Sequence, residues 1–365
     1  MMNVGMVSPL GVRCGISTYC TYIGDALQDL KVSVTGLSEY PFPDDKSATP
    51  DFQPKFPFFN CWKRTEFYTR LITESQNYDI IHVQHQFGLF NNTYAWIKFL
   101  KEVKKPLVLT VHDIVGPNES FSTYFNETIH YAKKIVVHTK TCYETLRSWN
   151  CPAEKMELIP HGTKIIGVPS KADARKELQL PENAKIILSW GFLWESKGLL
   201  ELVNILAEIK KTYPEAMLIH AGGIHPILQK SSYLSSILKT AIKLGLSPKD
   251  LMITQWVPED NVPTWFGASD VIVLNYMRGS ASASGAAHRT LSAHRPIVGT
   301  DDPTLEDIPK LEVPRFDVNA LYDGILKVLG DEVLQKTLVA RAEAAALETS
   351  WHSVALKHKK LYEKL

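Results

Sequence analysis

Residues 189–211 read SWGFLWESKGLLELVNILAEIKK. The segment begins inside an apolar run, 186–190, of the length and composition of a buried strand. Gly191 and a short turn lead to Lys197-Gly198. Beyond them Leu199, Leu202, Val203, Leu206 and Ile209 recur at the spacing of one helix face. Strand, glycine turn and helix make half of a βαβ unit, whose strands pair in parallel and are covered on both faces. A lysine that opens a helix meets the positive end of the helix dipole, an unfavourable place unless an anion sits beside it. A diphosphate is the anion this placement suggests.

The same alternation extends in both directions. Toward the N-terminus, strands are expected at 4–8, 32–36, 80–84, 107–111, 135–138 and 158–159, and toward the C-terminus at 186–190, 217–220, 252–254, 271–275 and 297–298. Between the first two strands, Ile16, Tyr19, Cys20, Ile23, Leu27 and Leu30 mark a helix. Two such series within 365 residues exceed one ordinary core and imply two doubly wound α/β domains. The Pro- and Gly-bearing stretch IPHGTKIIGVP places the linker near 162–170, giving domains at 1–165 and 166–350. The tail reads as two helices broken around 349–351. The segment 51–62, DFQPKFPFFNCW, reads as an irregular loop or an exposed apolar patch, a candidate for touching lipid or acceptor.

Bulk composition excludes several classes. A net charge of +1 gives no electrostatic case for nucleic acid. Five scattered cysteines without a CxxC pair argue against a disulfide framework or a zinc site and suggest a reducing cytosol. No apolar run approaches about 18 residues, so no spanning helix is expected, and no signal peptide is read at the N-terminus. The expected location is cytoplasmic, with a peripheral contact at the inner membrane face left open. His82 and His85 form HxxH, but residues three apart on a strand point to opposite faces, which argues against a metal.

In open α/β sheets ligands bind beyond the carboxyl ends of the strands. Those ends read SPLGVRCG, HVQHQFG, TVHD and VVHTK in the first half, and SWGFLWESKG, HAGG, TQWVPED and LNYMRGSASASG in the second. Glycines there let backbone N–H groups approach an anion. Gly11, Gly15, Gly191 and Gly285, the hydroxyls of Ser282 and Ser284, and Lys197 are candidates on that ground. Arg13, His85, Gln86, Tyr276, Arg278 and Arg289 are further candidates for substrate contact. His138, Thr139 and His161 fit packing as well as function, and Glu306 and Asp307 are weaker candidates for a ribose.

Taken in order, SPLGVRCGISTY, HVQHQFGLF, LTVHDIV, LIPHGT, ILSWGFLWESKGLLELV, LIHAGG, ASDVIVLNY, HRPIVGTD and SWHSVALKHKKLYEKL resemble the retaining glycosyltransferases of the GT-B fold, family 4, over nearly the whole chain. The resemblance implies two Rossmann-like domains facing across a cleft. The first takes the acceptor, the second the nucleotide-sugar donor, and the last helix, 351–365, returns to the first. It implies that Lys197 contacts the donor diphosphate, that His112 hydrogen-bonds the donor sugar, and that Gly15 belongs to the glycine loop. The donor is a UDP- or GDP-linked hexose, and no metal and no cofactor are expected. The acceptor is a hydroxyl of a glycan, a lipid-linked sugar or a small molecule.

The chain departs from that family at three places. The family's Gly-Arg pair is Gly191-Phe192 here, and its two glutamates eight apart fall at Ala281 and Arg289. Arg289, or else Arg278, is expected to supply the absent cation, so His112, Lys197 and Arg289 form the expected catalytic set. A catalytically silent GT-B subunit that binds a glycan or a protein is the alternative, and a sugar-nucleotide epimerase is another. The first strand lacks the GxGxxG of a dehydrogenase, and no glycosidase carboxylate pair or DxD stands out.

Overall fold

The computed structural model describes residues 2–40, 53–64, 66, 68–114, 119–224, 232–278 and 282–365, with 119–123 as backbone alone. Asp44-Asp45, Phe52 and Ala281 lie outside the described residues. The chain divides into two compact units. The first is Met1–Gly162 with Ser280–Gly285 and Thr349–Leu365; the second is Thr163–Gly279 with Ala286–Glu348.

In the first unit the order is β1 (Asn3–Ser8), α1 (Gly15–Asp29), β2 (Ser33–Glu39), β3 (Phe58–Trp62), α2 (Thr69–Ser75), β4 (Ile80–His85), α3 (Thr93–Glu102), β5 (Leu107–Val111), α4 (Glu119–Tyr131), β6 (Lys134–Val137), α5 (Lys140–Ser148) and β7 (Met156–Leu158). Its sheet runs β3-β2-β1-β4-β5-β6-β7, with every neighbouring pair parallel. In the second unit α6 (Lys171–Glu177), β8 (Lys185–Trp190), α7 (Leu199–Thr212), β9 (Ala216–Ala221), α8 (Tyr233–Lys243), β10 (Leu251–Ile253), α9 (Val262–Ala268), β11 (Val271–Leu274), α10 (Gly285–Thr290, all but its first residue), β12 (Ile297–Thr300), β13 (Leu311–Val313), α11 (Val318–Gly330) and α12 (Glu332–Glu348) follow. That sheet is also parallel, in the order β10-β9-β8-β11-β12-β13. The closing helix α13 (Trp351–Tyr362) lies in the first unit, packed on α1.

Each sheet reverses its direction of growth once, between β1 and β4 and between β8 and β11. At such a switch point the loops leave to opposite sides and open a crevice at the strand ends. Central strands read as unbroken apolar runs because helices cover both faces: all of β4, β5 and β9 is buried.

The segment near 51–62 departs from expectation. Phe58–Trp62 is β3, the outer strand, in parallel register with β2. Phe56, Cys61 and Trp62 are buried, and the Trp62 indole N–H donates to the Leu37 carbonyl at 2.8 Å. Those three side chains join the core and Phe58 and Phe59 are half-buried, so among the described residues the segment carries no fully exposed aromatic side chain. Pro54 and Pro57 disguised the strand; Pro57 stands just before it, where its missing N–H costs no ladder bond. β13 also went unread, being three residues long and bounded by Pro309 and Pro314. Among the described residues no helix is long and apolar enough to cross a membrane.

Several histidines are buried as neutral rings, which links stability to pH. Burial lowers His85, His220 and His358 to about 4, and holds His82 and His112 well below the usual histidine range. Unfolded histidine titrates near 6.5, so the unfolded chain binds protons first. Stability is therefore full above about pH 6.5 and falls as pH drops toward about 4. We expect a melting temperature that is flat from pH 8 to 7 and declines steeply from pH 6.5 to 4.5. A profile flat down to pH 5 would contradict these buried neutral rings.

Candidate active site

In the second unit the loops after β8 and β11 flank the switch point and are stitched together. The Met277 N–H donates to the Ser196 carbonyl at 2.8 Å, and the Asn275 side-chain amide donates to the Gly198 carbonyl at 2.9 Å. Residues 196–198 thus lie along 275–277, and the middle residues of the two strings meet. The Lys197 Nζ stands 3.2 Å from the centre of the Tyr276 ring. Tyr276 is buried, and its carbonyl accepts from the Thr300 hydroxyl, so the ring is a fixed platform for the cation.

Gly198 makes the approach possible. It is the residue before α7, with φ at 61°, and a Cβ there would lie 2.4 Å from the Asn275 carbonyl oxygen. Only glycine accepts both conditions without strain. The Lys197 ammonium makes no hydrogen bond or ion pair among the described residues. A half-buried ammonium resting on a ring, without a carboxylate, is a site that favours an incoming anion.

Around it lie Gly191, with φ at 111°, and His220, whose Nδ1 is 3.1 Å from the Ser189 hydroxyl. Phe192, where the resemblance implied an arginine, packs its ring on Trp256. Arg278 is exposed. Arg289 is placed otherwise than expected. Both of its terminal nitrogens donate to the Glu259 carboxylate at 2.8 Å, and Lys164 reaches the same carboxylate at 3.0 Å. Its guanidinium is thereby engaged by a carboxylate the sequence did not single out. The Arg289→Ala variant should therefore keep its thermal response to UDP and GDP and lose about 1–3 kcal/mol of stability, from the two lost charge-assisted hydrogen bonds to Glu259. A weakened nucleotide response at unchanged stability would restore the phosphate role. Asp307 accepts at 2.9 Å from His288, whose other ring nitrogen is 3.2 Å from the Thr163 hydroxyl.

In the first unit His112 follows β5, and its N–H donates to the His85 carbonyl at 2.9 Å. Its ring stands edge-on to Tyr19, with centres 4.7 Å apart, and burial beside His138 and His85 keeps it neutral. His85 points to the other face of the sheet, where its Nε2 lies 2.7 Å from the Tyr124 hydroxyl among Phe90 and Trp96. It is a core residue in this setting. Gln86 donates to Asp113 at 2.9 Å, and the Phe87 N–H donates to the other oxygen of that carboxylate, so Asp113 holds the β4 loop in place.

The serine-rich segment also differs from expectation. The Ser282 hydroxyl donates to the Val111 carbonyl at 2.6 Å, and its N–H donates to the His112 carbonyl at 3.1 Å. Ser282 pins the segment to the end of β5, which leaves its hydroxyl proton no phosphate to meet. Ser284 is buried, and a Cβ on Gly285 would lie 3.0 Å from the His161 Nε2. His138 and His161 point their Nδ1 atoms at the carbonyls of Ile159 and Gly162, and Thr139 caps α5, all packing roles. Gly11 has φ at 69°, Arg13 is half-buried, and Gly15 opens α1, where a Cβ would meet no atom within 4 Å among the described residues. Among the described residues no group of three or more His, Cys, Asp or Glu could hold a metal ion.

Comparison with known proteins agrees with this architecture. Residues 14–165 match the model of Glycosyltransferase Family 4, and residues 170–346 match that of Glycosyl transferases group 1. The chain is 22% identical over 292 residues to a phosphatidyl-myo-inositol mannosyltransferase of Mycobacterium tuberculosis, covering 79% of this chain and 74% of that one. It superposes on the Anabaena protein Alr3699/HepE in complex with UDP-glucose at a TM-score of 0.81 and 15% identity, over the full length of both. Sucrose-phosphate synthase of Thermosynechococcus elongatus gives 0.79 and 20%, covering 100% of this chain and 99% of the other.

Proposed function

Because the chain belongs to the family 4 glycosyltransferases of GT-B fold, we propose that it transfers a hexose from a UDP- or GDP-sugar to a hydroxyl of a glycan, a lipid-linked sugar or a small acceptor, with retention of anomeric configuration. The bond from the anomeric carbon to the diphosphate breaks, a bond to the acceptor oxygen forms, and the acceptor proton passes to the departing phosphate. The observation that carries the reading is the Lys197 ammonium, held 3.2 Å over Tyr276 without an anionic partner among the described residues. Negative charge grows on the leaving diphosphate, and a fixed cation stabilises that charge more in the transition state than in the ground state. In this reading the unit that holds α7 takes the donor, the unit that holds α1 takes the acceptor, and His112 orients the sugar.

The test is incubation of the purified chain with a panel of UDP- and GDP-sugars, with and without candidate acceptors. Release of nucleoside diphosphate is expected with one donor class, and NMR of the product's anomeric proton reports retention. Thermal stabilisation by a nucleotide with no turnover on any acceptor would instead favour the silent subunit.

A further inference from the structure

One face of the first unit's sheet carries a file of polar side chains in its interior. Register places His82, Gln84, Thr110 and His112 on that face, with Met6 of β1 beside His82. Tyr362 of α13 reaches the His82 Nδ1 at 2.6 Å, and the His82 Nε2 lies 2.8 Å from the Thr110 hydroxyl. Gln84 comes next in the file and is fully buried. Its amide nitrogen is 3.1 Å from the Met6 sulfur and 3.4 Å from the His82 Nε2, and its amide oxygen is 3.0 Å from the His112 Nε2.

The orientation of that amide follows from its neighbours. A thioether sulfur accepts hydrogen bonds and never donates them, so the NH2 end must face Met6. Reversed, two lone-pair atoms would meet at that distance. The oxygen is left facing His112, and a carbonyl oxygen can only accept. The proton on the neutral His112 ring must then sit on Nε2. Its Nδ1 keeps a lone pair and makes no hydrogen bond among the described residues.

We propose that Gln84 is a positioning residue that fixes His112 as the Nε2–H tautomer, so that Nδ1 presents an acceptor and selects a ligand hydroxyl able to donate to it. The identity of that hydroxyl as one on the transferred sugar rests on the proposed function; the tautomer does not. A histidine so held cannot donate through Nδ1, so the ring selects ligands and does not deliver the acceptor's proton.

The tautomer is directly readable. The full chain, labelled with nitrogen-15 in its histidine rings, gives long-range proton–nitrogen correlations at pH 7.5, with His112 assigned by its loss in the His112→Asn variant. Nε2 should appear protonated and Nδ1 bare. In Gln84→Met, which keeps the volume and removes the carbonyl, the Nδ1–H form should rise to a comparable population. Gln84→Glu, which restores an acceptor oxygen, should return the Nε2–H form. A protonated Nδ1 in the parent chain, or a Gln84→Met spectrum identical to the parent, overturns the proposal, and the parent spectrum decides even if the variants fail to fold. With a donor that turns over, Gln84→Met should lower kcat/KM about five- to tenfold, the loss of about one hydrogen bond. Failure of every donor would count against the transferase reading and leave the spectrum to judge Gln84.

Discussion

Replacing Lys197 with alanine is expected to cut turnover by about 100- to 1000-fold, the usual loss when one fixed donor to a developing negative charge is removed. The melting temperature should hardly move. Lys197 is half-buried, and among the described residues its ammonium meets only the face of Tyr276. Losing that contact costs roughly 0.5–1 kcal/mol, while the stitching of 196–198 to 275–277 runs through backbone atoms and Asn275. Separating the two effects is what makes the variant informative. Initial rates of nucleoside diphosphate release, read beside a melting curve, decide it. Activity within a few-fold of the parent would mean that the phosphate is held elsewhere, and the donor assignment of this loop would fall with it.

How much of this was legible beforehand depends on the range of the forces involved. The two doubly wound units were readable because strand and helix periodicity is local: the run at 186–190 followed by Leu199, Leu202 and Val203 announces β8 and α7 without outside information. Lys197 was legible for the same reason, as a local conflict with the α7 dipole. What escaped were pairings across sequence. Nothing local ties Arg289 to Glu259, thirty positions away, so a partnered arginine read as a free one. Ser282 was taken for a phosphate ligand because the carbonyl that captures it belongs to Val111, 171 positions earlier. Gln84 looked like the end of a strand, since its role needs Met6 on one side and His112 on the other. β3 failed for another reason: its prolines are ordinary signals for a loop, and an outer strand tolerates them.

The second large effect expected is on stability. Trp351 opens α13 and is packed on three rings of the first unit: edge-on to Tyr19 at 5.0 Å, stacked on Tyr22 at 5.5 Å, and against His161 at 5.5 Å. Gly162 lets the indole in, because a Cβ there would stand 2.2 Å from the Trp351 ring. Behind it Val354, Ala355, Leu361 and Tyr362 continue the buried stripe of α13. Trp351→Ala removes the largest side chain of that stripe from a place that rigid neighbours cannot close. The expected cost is about 3–5 kcal/mol, as for other buried tryptophans cut to alanine. The loss should be confined to the first unit, since every ring named belongs to it. Hydrogen exchange should show α13 and α1 losing protection while β8, β9 and β11 keep theirs, and Trp351→Phe should recover a good part of the loss. The effect also reaches chemistry, because Tyr362 anchors the His82 end of the file that leads to Gln84. A variant that melts like the parent, with α13 still protected, would show that the helix is held by Val354 to Tyr362 alone and that the indole contributes little.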